Sequence, residues 1–230
     1  MVQPFDIKKI KNFIRNEVGS NSNRIYSQGG EDIILAEAIG EKETGFYIDI
    51  GAHHPSRFSN TYMFYKRGWN GINIDPLPGS MRIFDKKRPR DINLEIAISR
   101  QRETEIYYMF REPALNTFSK EVAECRERET NHRVIEQRKI KTFPLVEVLD
   151  KHIKKDCKID FMNVDVEGLD LDVLKSNDWE KYPVEYLLVE SLNLILEDVK
   201  NDPTYMYLKN QDYKLIAKTL RTYIFKKSKT

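Results

Sequence analysis

The chain has 230 residues, of which 40% are hydrophobic and 32% charged, and its formal net charge is +2. A chain of this length buries roughly 70% of the surface that its unfolded form exposes, so it needs neither disulfides nor metals to fold. The near balance of charge argues against nucleic acid as a dedicated partner, because such partners select a concentrated basic face.

The sequence contains no apolar run near the ~20 residues of a membrane span, and it does not begin like a signal peptide. The two cysteines, Cys125 and Cys157, form no Cys-x-x-Cys pair. We therefore expect a reducing, cytoplasmic compartment.

Short β-rich runs alternate with helical stretches, which predicts one α/β domain over residues 1–230, with a mostly parallel sheet covered by helices on both faces. An N-terminal helical segment is expected within residues 1–45. The predicted strands are, in chain order, 46–50, 71–75, 92–98, 159–166 and 186–189, and the predicted helices between them are 60–67, 78–87 and 202–210. The last two runs, 213–220 and 222–227, are joined too tightly for a parallel crossover, so they predict an antiparallel hairpin that completes a seven-stranded sheet.

Residues 111–137 fit this alternation poorly. After an extra strand over 105–110, the stretch 119–137 is highly charged and helical in character, with opposite charges at the i,i+4 spacing. A solvent-exposed insertion would explain this stretch, and so would a lid that closes over an active site. Tyr107 or Tyr108 and the polar stretch 116–119 are candidates for contact with an acceptor substrate.

Two motifs predict a site for a nucleoside. The first strand runs into Asp49-Ile50-Gly51, where glycine lets the backbone pass close to a ligand at the carboxyl end of the strand. The dinucleotide pattern Gly-x-Gly-x-x-Gly is absent, since His53 occupies its second glycine position, which argues against NAD. Asp75 ends the second strand before Pro76 and can accept hydrogen bonds from both hydroxyls of a ribose, or it can cap a turn.

Three further acids follow neighbouring strands. Asp165 and Glu167 end the fourth predicted strand, and Glu190 ends the fifth. Carboxylates at adjacent strand ends repel one another, so a metal, a substrate cation or a proton-transfer task would explain their presence.

Several motifs occur together in a fixed order. They are Tyr-Ser-Gln-Gly-Gly-Glu-Asp at 26–32, Phe-Tyr-Ile-Asp-Ile-Gly-Ala at 46–52, Ser-Asn-Thr-Tyr at 59–62, the stretches 68–75 and 88–93, and Asp-Val-Glu-Gly at 165–168. With these motifs the chain resembles the FkbM family of S-adenosylmethionine-dependent methyltransferases. The resemblance runs from about Arg24 to Phe225 and is weakest over 111–137. It implies the Rossmann-like fold of class I methyltransferases.

The resemblance also implies which residues bind S-adenosylmethionine. Asp49 and Gly51 match the cofactor loop, Asp75 matches the acid that holds the ribose, and the end of the third strand would lie beside the adenine. Gln28 is expected to close over the cofactor or substrate, whereas neighbouring Ser27 has the alternative of capping a helix. The full predicted set is Gln28, Glu31, Asp49, Gly51, Asn60, Asp75, Pro76, Ala97 and Ile98. His53 and His54 depart from the residues that many relatives carry there.

Methyl transfer to an alcohol needs a positioned base or a cation that stabilises the alkoxide. In the first hypothesis Glu167 or His53 takes the proton, beside Asp165. In the second, Asp165 and Glu190 bind a divalent ion (iron, manganese or magnesium) together with His53 or His54.

The leading interpretation is an O-methyltransferase that methylates a sugar hydroxyl in surface-polysaccharide (capsule or O-antigen) biosynthesis, with a small-molecule or nucleotide-linked sugar as acceptor. The sugar comes from the family resemblance, because no residue specifies it. A secondary metabolite as acceptor is one alternative, and a non-catalytic nucleoside-binding module is the other.

Overall fold

The computed structural model of the protein describes residues 24–154, 157–191 and 195–228. In these ranges the strands are β1 (Phe46–Ile50), β2 (Asn70–Ile74), β3 (Ile92–Leu94), β4 (Ala97–Ile98), β5 (Thr104–Phe110), β6 (Val134–Phe143), β7 (Ile159–Val164), β8 (Val184–Glu190), β9 (Tyr213–Lys218) and β10 (Thr222–Lys227). The α-helices are α1 (Glu31–Ile39), α2 (Tyr62–Lys66), α3 (Met81–Lys87), α4 (Lys120–Glu129), α5 (Leu145–His152), α6 (Asp170–Lys175) and α7 (Pro203–Asn210). Short 3-10 turns lie at Pro113–Leu115 and Leu196–Asn201.

Seven strands form the main sheet in the order β3-β2-β1-β7-β8-β10-β9. Neighbouring strands are parallel except around β10, which is antiparallel to both β8 and β9. The mostly parallel seven-stranded sheet and the C-terminal hairpin are thus confirmed, and the sheet is a mixed one. Because β10 inserts between β8 and β9, the last strand is an interior strand and β9 is the edge.

Helices cover both faces of this sheet, as predicted. Alternate residues of a strand point to opposite faces. Ile48 belongs to the buried cluster that contains side chains of α5, α6 and α7, whereas Tyr47 belongs to the cluster that contains side chains of α1 and α2. The two buried clusters take different residues of the same strands, so these strands are covered on both faces. This explains why most of their positions are apolar.

A second, three-stranded sheet lies outside the main one, with the order β4-β6-β5. The predicted third strand over 92–98 was therefore wrong as one element: β3 stays in the main sheet, whereas β4 pairs with the end of β6. Residues 134–137 were predicted to be helical, but they belong to β6, which pairs antiparallel with β5. Within residues 111–137, the charged insertion, only Lys120–Glu129 is α-helix.

Some elements begin or end at other residues than predicted, because side chains at their ends form hydrogen bonds with other parts of the protein. The helix expected from residue 60 begins at Tyr62; Ser59 does accept a hydrogen bond from the Tyr62 amide, but the side chains of Asn60 and Thr61 bind other strands. β7 ends at Val164, so the acids that follow lie in a loop.

The predicted N-terminal helical segment contains α1, and its residues 1–23 lie outside the described residues. None of the helices in the described ranges has the length and apolar character needed to cross a bilayer.

Candidate active site

One cleft opens at the carboxyl ends of β1, β2, β7 and β8. All nine residues predicted to bind the cofactor line it, namely Gln28, Glu31, Asp49, Gly51, Asn60, Asp75, Pro76, Ala97 and Ile98. Asp165, Glu167, Glu190 and His53 line the same cleft. The ribose acid and the candidate catalytic acids therefore share one cavity, which is the arrangement that the predicted chemistry requires. The binding and catalytic roles of these residues stay predictions.

Gly51 brings the tip of β1 against the loop that follows β7. Its φ is +79°, in the left-handed region that favours glycine, and a Cβ there would overlap the carbonyl oxygen of Asp165. The amides of Gly51 and Ala52 both donate to the carbonyl oxygen of Ile74, at 2.9 and 3.0 Å. A residue with a side chain at this position would force the loop away from its neighbours.

Asp49 is buried, and its carboxylate is satisfied within the protein. It accepts hydrogen bonds from Thr61 Oγ1 at 2.7 Å and from Asn163 Nδ2 at 2.9 Å. Burial raises the pKa of Asp49, and the nearby Arg88 charge and these two bonds oppose that shift. Asp49 thus fixes the loop and the polar side chains around it.

The hydrogen bonds around Asp49 fix how Asn60 is oriented. A carboxylate only accepts, so Asn163 presents its NH₂ to Asp49 and its oxygen to Asn60 Nδ2, 2.8 Å away. The remaining Asn60 oxygen is buried without a hydrogen-bond partner in the described structure. Since the side chain lines the cleft, this oxygen is available to a donor group of a ligand.

Arg88 is a buried neighbour of Asp49, a position that its motif at 88–93 did not predict. Its side chain is fully buried and donates to Thr61 Oγ1, Asn73 Oδ1 and Ser59 Oγ. The Asp91 carboxylate lies 3.8 Å away. A buried charge is retained only when it is paired and hydrogen-bonded. Arg88 also orients Thr61, because the hydroxyl that accepts from Arg88 donates to Asp49.

Asp75 caps the turn that follows β2, and its ribose role stays a prediction. Its two carboxylate oxygens accept the amides of His53 at 2.9 Å and Leu77 at 2.8 Å, which is the turn-capping role. Each oxygen keeps a second lone pair for a ligand hydroxyl. Burial raises the pKa of Asp75 to about 6, so the carboxylate is ionised at neutral pH and can accept from a ribose.

The two histidines have different surroundings. His53 lines the cleft, and its Nε2 is buried without a hydrogen-bond partner among the residues described. Burial, with the nearby Arg57 charge, lowers the pKa of His53, so the ring is neutral and able to accept a proton. His54 instead accepts the amides of Ser56 and Arg57 at its Nδ1 and holds the loop together.

The three acids that follow β7 and end β8 lie close together, as the sequence predicted. Carboxylate oxygens of Asp165, Glu167 and Glu190 lie within 4.8 Å of one another, and no histidine belongs to this group in the described part of the chain. The two predicted histidines, His53 and His54, thus lie outside this group, and the Nδ1 of His54 is held by its own loop. The predicted metal ligand set of His53, His54, Asp165 and Glu190 stays a prediction.

Burial and mutual repulsion act on all three acids. Burial raises the pKa of Asp165 and of Glu190, and the neighbouring acids raise both further. Burial also raises the pKa of Glu167, whereas Arg126 opposes that shift. One oxygen of Glu190 is buried and unpartnered in the described structure. Such a group favours a bound proton or a bound cation at neutral pH.

The segment before α1 closes one end of the cleft. The alternative of Ser27 as the capping residue of α1 is wrong, because Gly30 is the N-cap. The Ser27 hydroxyl instead accepts from the Gly30 amide and donates to Asp32, which holds the segment together. Glu31 is buried and accepts from the Gly29 amide and from Thr219 Oγ1, each at 2.8 Å.

Two other segments complete the walls. Tyr107 and Phe118, with ring centroids 4.6 Å apart, line the cleft together with Asn116, whereas Thr117 turns away and donates to the Glu167 carbonyl. Arg221 and Thr222 line it from the β9–β10 turn. The sequence did not predict this last contribution.

The comparison with protein families agrees with the sequence motifs. The model of the methyltransferase FkbM domain matches residues 49–215. A TehB-like SAM-dependent methyltransferase from Corynebacterium glutamicum is similar in structure at 8% identity, covering 96% of this chain and 97% of that one, with a TM-score of 0.38. No curated protein sequence matches the chain.

Proposed function

Because the chain belongs to the FkbM family of methyltransferases, we propose that it transfers the methyl group of S-adenosylmethionine to a sugar hydroxyl in surface-polysaccharide (capsule or O-antigen) biosynthesis. The observation that carries the transfer chemistry is the group of three carboxylates in the same cleft as the cofactor residues. The sugar as acceptor rests on the family resemblance.

The cleft offers different chemistry to the two halves of the methyl donor. Asp75 would accept from the ribose, with Ala97 and Ile98 beside the adenine. At the other end, the free Asn60 oxygen and the Glu31 carboxylate would face the ammonium group of the methionine half. An acceptor-only pair suits a cationic donor group.

Replacing Asn60 with alanine tests this orientation. A hydrogen bond to a charged group contributes about 1.5–3 kcal/mol, so the affinity for S-adenosylhomocysteine should fall roughly 10- to 100-fold. The affinity for 5′-methylthioadenosine, which lacks the amino-acid half, should stay within about twofold if Asn60 acts only on the ammonium. Titration calorimetry with both ligands measures the difference.

The control for Asn60→Ala is Asn70→Ala, which removes an exposed asparagine at the opposite end of β2. Equal losses for both ligands would show that the alanine disturbs the whole loop and would contradict the ammonium contact.

The reaction itself is an in-line displacement. The acceptor oxygen attacks the methyl carbon, the sulfur–carbon bond breaks and leaves a neutral thioether, and the hydroxyl proton passes to the protein. A carboxylate takes that proton only in its ionised form. Burial and the neighbouring acids raise the pKa of Glu190 to about 10, so Glu190 holds its own proton at neutral pH, and Asp165 is the carboxylate candidate for the base. His53, neutral and facing the same cleft, is the second candidate base.

A divalent ion fits the same carboxylates. The cluster offers oxygen ligands without a histidine, a donor set that suits magnesium or manganese better than iron. An ion bound by Asp165 and Glu190 would stabilise the acceptor alkoxide. The unpartnered Glu190 oxygen is the structural observation that supports this assignment.

The deciding experiment combines methyl-labelled donor with a panel of nucleotide-linked sugars, in excess chelator and after addition of magnesium or manganese. Methylated sugar is the expected product. Loss of turnover in chelator with recovery on one ion supports the metal, whereas full turnover in chelator supports the carboxylate base. Methylation of secondary metabolites alone would replace the sugar, and donor binding with no acceptor at all would favour the non-catalytic module.

A further inference from the structure

The charged insertion is fastened to the candidate active site by Arg126. This residue lies in α4, where its side chain is only 16% exposed. One guanidinium nitrogen pairs with Glu167 Oε2, and the other donates to the Leu115 carbonyl at 2.6 Å. Arg126 thus joins a cleft carboxylate to two parts of the insertion.

The backbone around Glu167 is held by the same segment. Glu167 has a φ of +59°, which is strained for a residue with a side chain, and its carbonyl oxygen accepts from Thr117 Oγ1 at 2.7 Å. A Cβ on the following Gly168 would come within 3.2 Å of the Val122 side chain of α4. The insertion therefore packs on this turn and maintains an unfavourable conformation there.

Charges around Glu167 explain why a counter-charge is needed. The cations that face it are Arg126 and, from the β9–β10 turn, Arg221. Asp165 faces it from its own loop and Glu190 from β8, and both are acids whose charges repel it. Without Arg126, the Glu167 side chain would lose its ion-pair partner and would be free to move within the carboxylate group.

We propose that Arg126 is a positioning residue of the methyl-transfer reaction, which holds Glu167 in place and leaves Asp165 and Glu190 free to act on the acceptor. The insertion then forms part of the acceptor site, and this site is complete only while α4 packs on the turn at residues 167–168. This inference rests on the proposed function for the identity of the reaction, and on the Arg126–Glu167 contact for the role of the residue.

The test compares Arg126→Gln with Arg126→Lys and with Arg128→Gln. Arg128 is a matched control because it lies on the same helix, is 70% exposed on its side chain and pairs with Glu129. For Arg126→Gln we expect kcat to fall roughly 10- to 100-fold, as for other supporting groups of an active site, while the donor Kd stays within about twofold. Arg126→Lys should recover part of that loss, and Arg128→Gln should match the unaltered protein.

A second measurement separates the positioning role from the reaction. Amide hydrogen exchange in residues 115–126 and 165–168 should accelerate in Arg126→Gln and stay unchanged in Arg128→Gln. Unchanged exchange, or a kcat equal to that of the Arg128 variant, would overturn the role of Arg126. If no acceptor is methylated by any form, the proposed function fails, and the exchange data still decide whether Arg126 fastens the insertion.

Discussion

The Gly51→Ala variant is expected to lose donor binding and at least ~4 kcal/mol of unfolding free energy, a loss seen only when a specific structural requirement is broken. Two effects add. A left-handed backbone costs a residue with a side chain roughly 1–2 kcal/mol. The new Cβ would also overlap the carbonyl oxygen of Asp165, which is a backbone atom and cannot move aside as the end of a flexible side chain could. The loops after β1 and β7 would separate, and the cleft residues on both would lose their positions.

Gly79→Ala is the matched control for this variant. Gly79 has nearly the same φ, +81°, but open space where its Cβ would be. It should therefore lose only the conformational term of about 1–2 kcal/mol. Urea denaturation gives both free energies, and calorimetry with S-adenosylhomocysteine gives the binding. Similar losses in the two variants would contradict the close approach at Gly51.

The Asp165→Asn variant is expected to lose about 10³-fold in kcat, since proton transfer by a positioned group contributes roughly 10²–10⁴-fold. Its stability should not fall. The carboxylate of Asp165 is crowded by Glu167, Asp170 and Asp49, and burial raises its pKa, so at neutral pH its ionisation works against folding. The neutral amide of the same shape removes that repulsion.

Thermal denaturation, donor binding and turnover must therefore be measured together on Asp165→Asn. The expected pattern is an equal or higher Tm, retained S-adenosylhomocysteine binding and nearly absent turnover. Asp172→Asn makes the same chemical change in the first turn of α6, away from the cleft, and should leave all three unchanged. Turnover within tenfold of normal in Asp165→Asn would remove this acid from the chemistry.

The sequence predicted well those features that depend on a glycine or an acid placed directly after a buried strand. Gly51, Asp75 and Asp165 follow buried parallel strands, and the carboxyl ends of such strands meet at one edge of the sheet. Their common cleft could therefore be predicted before any contact was known. The tight connection before Thr222 likewise left the last two strands only an antiparallel pairing.

Other features depend on partners that are distant in the sequence. β6 is rich in exposed charges, so its residues carry little hydrophobic alternation, and its strand character arises from pairing with β5. His54 was predicted as a metal ligand because it follows His53 in a loop near three acids. In the structure its Nδ1 accepts the amides of Ser56 and Arg57, two and three residues further along the chain. The buried role of Arg88 and the contact of Arg126 with Glu167 join residues whose proximity exists only in the folded chain.

The hydrogen bond between Thr219 and Glu31 spans 188 positions of the chain. Contacts so far apart in sequence form slowly, because the intervening chain must be ordered before its ends can meet. The end of the cleft assigned to the methionine half is thus built from the first described helix and the final turn. Capture of the methyl donor would therefore require the last two strands of the sheet to be in place, because the turn that joins β9 and β10 carries Thr219.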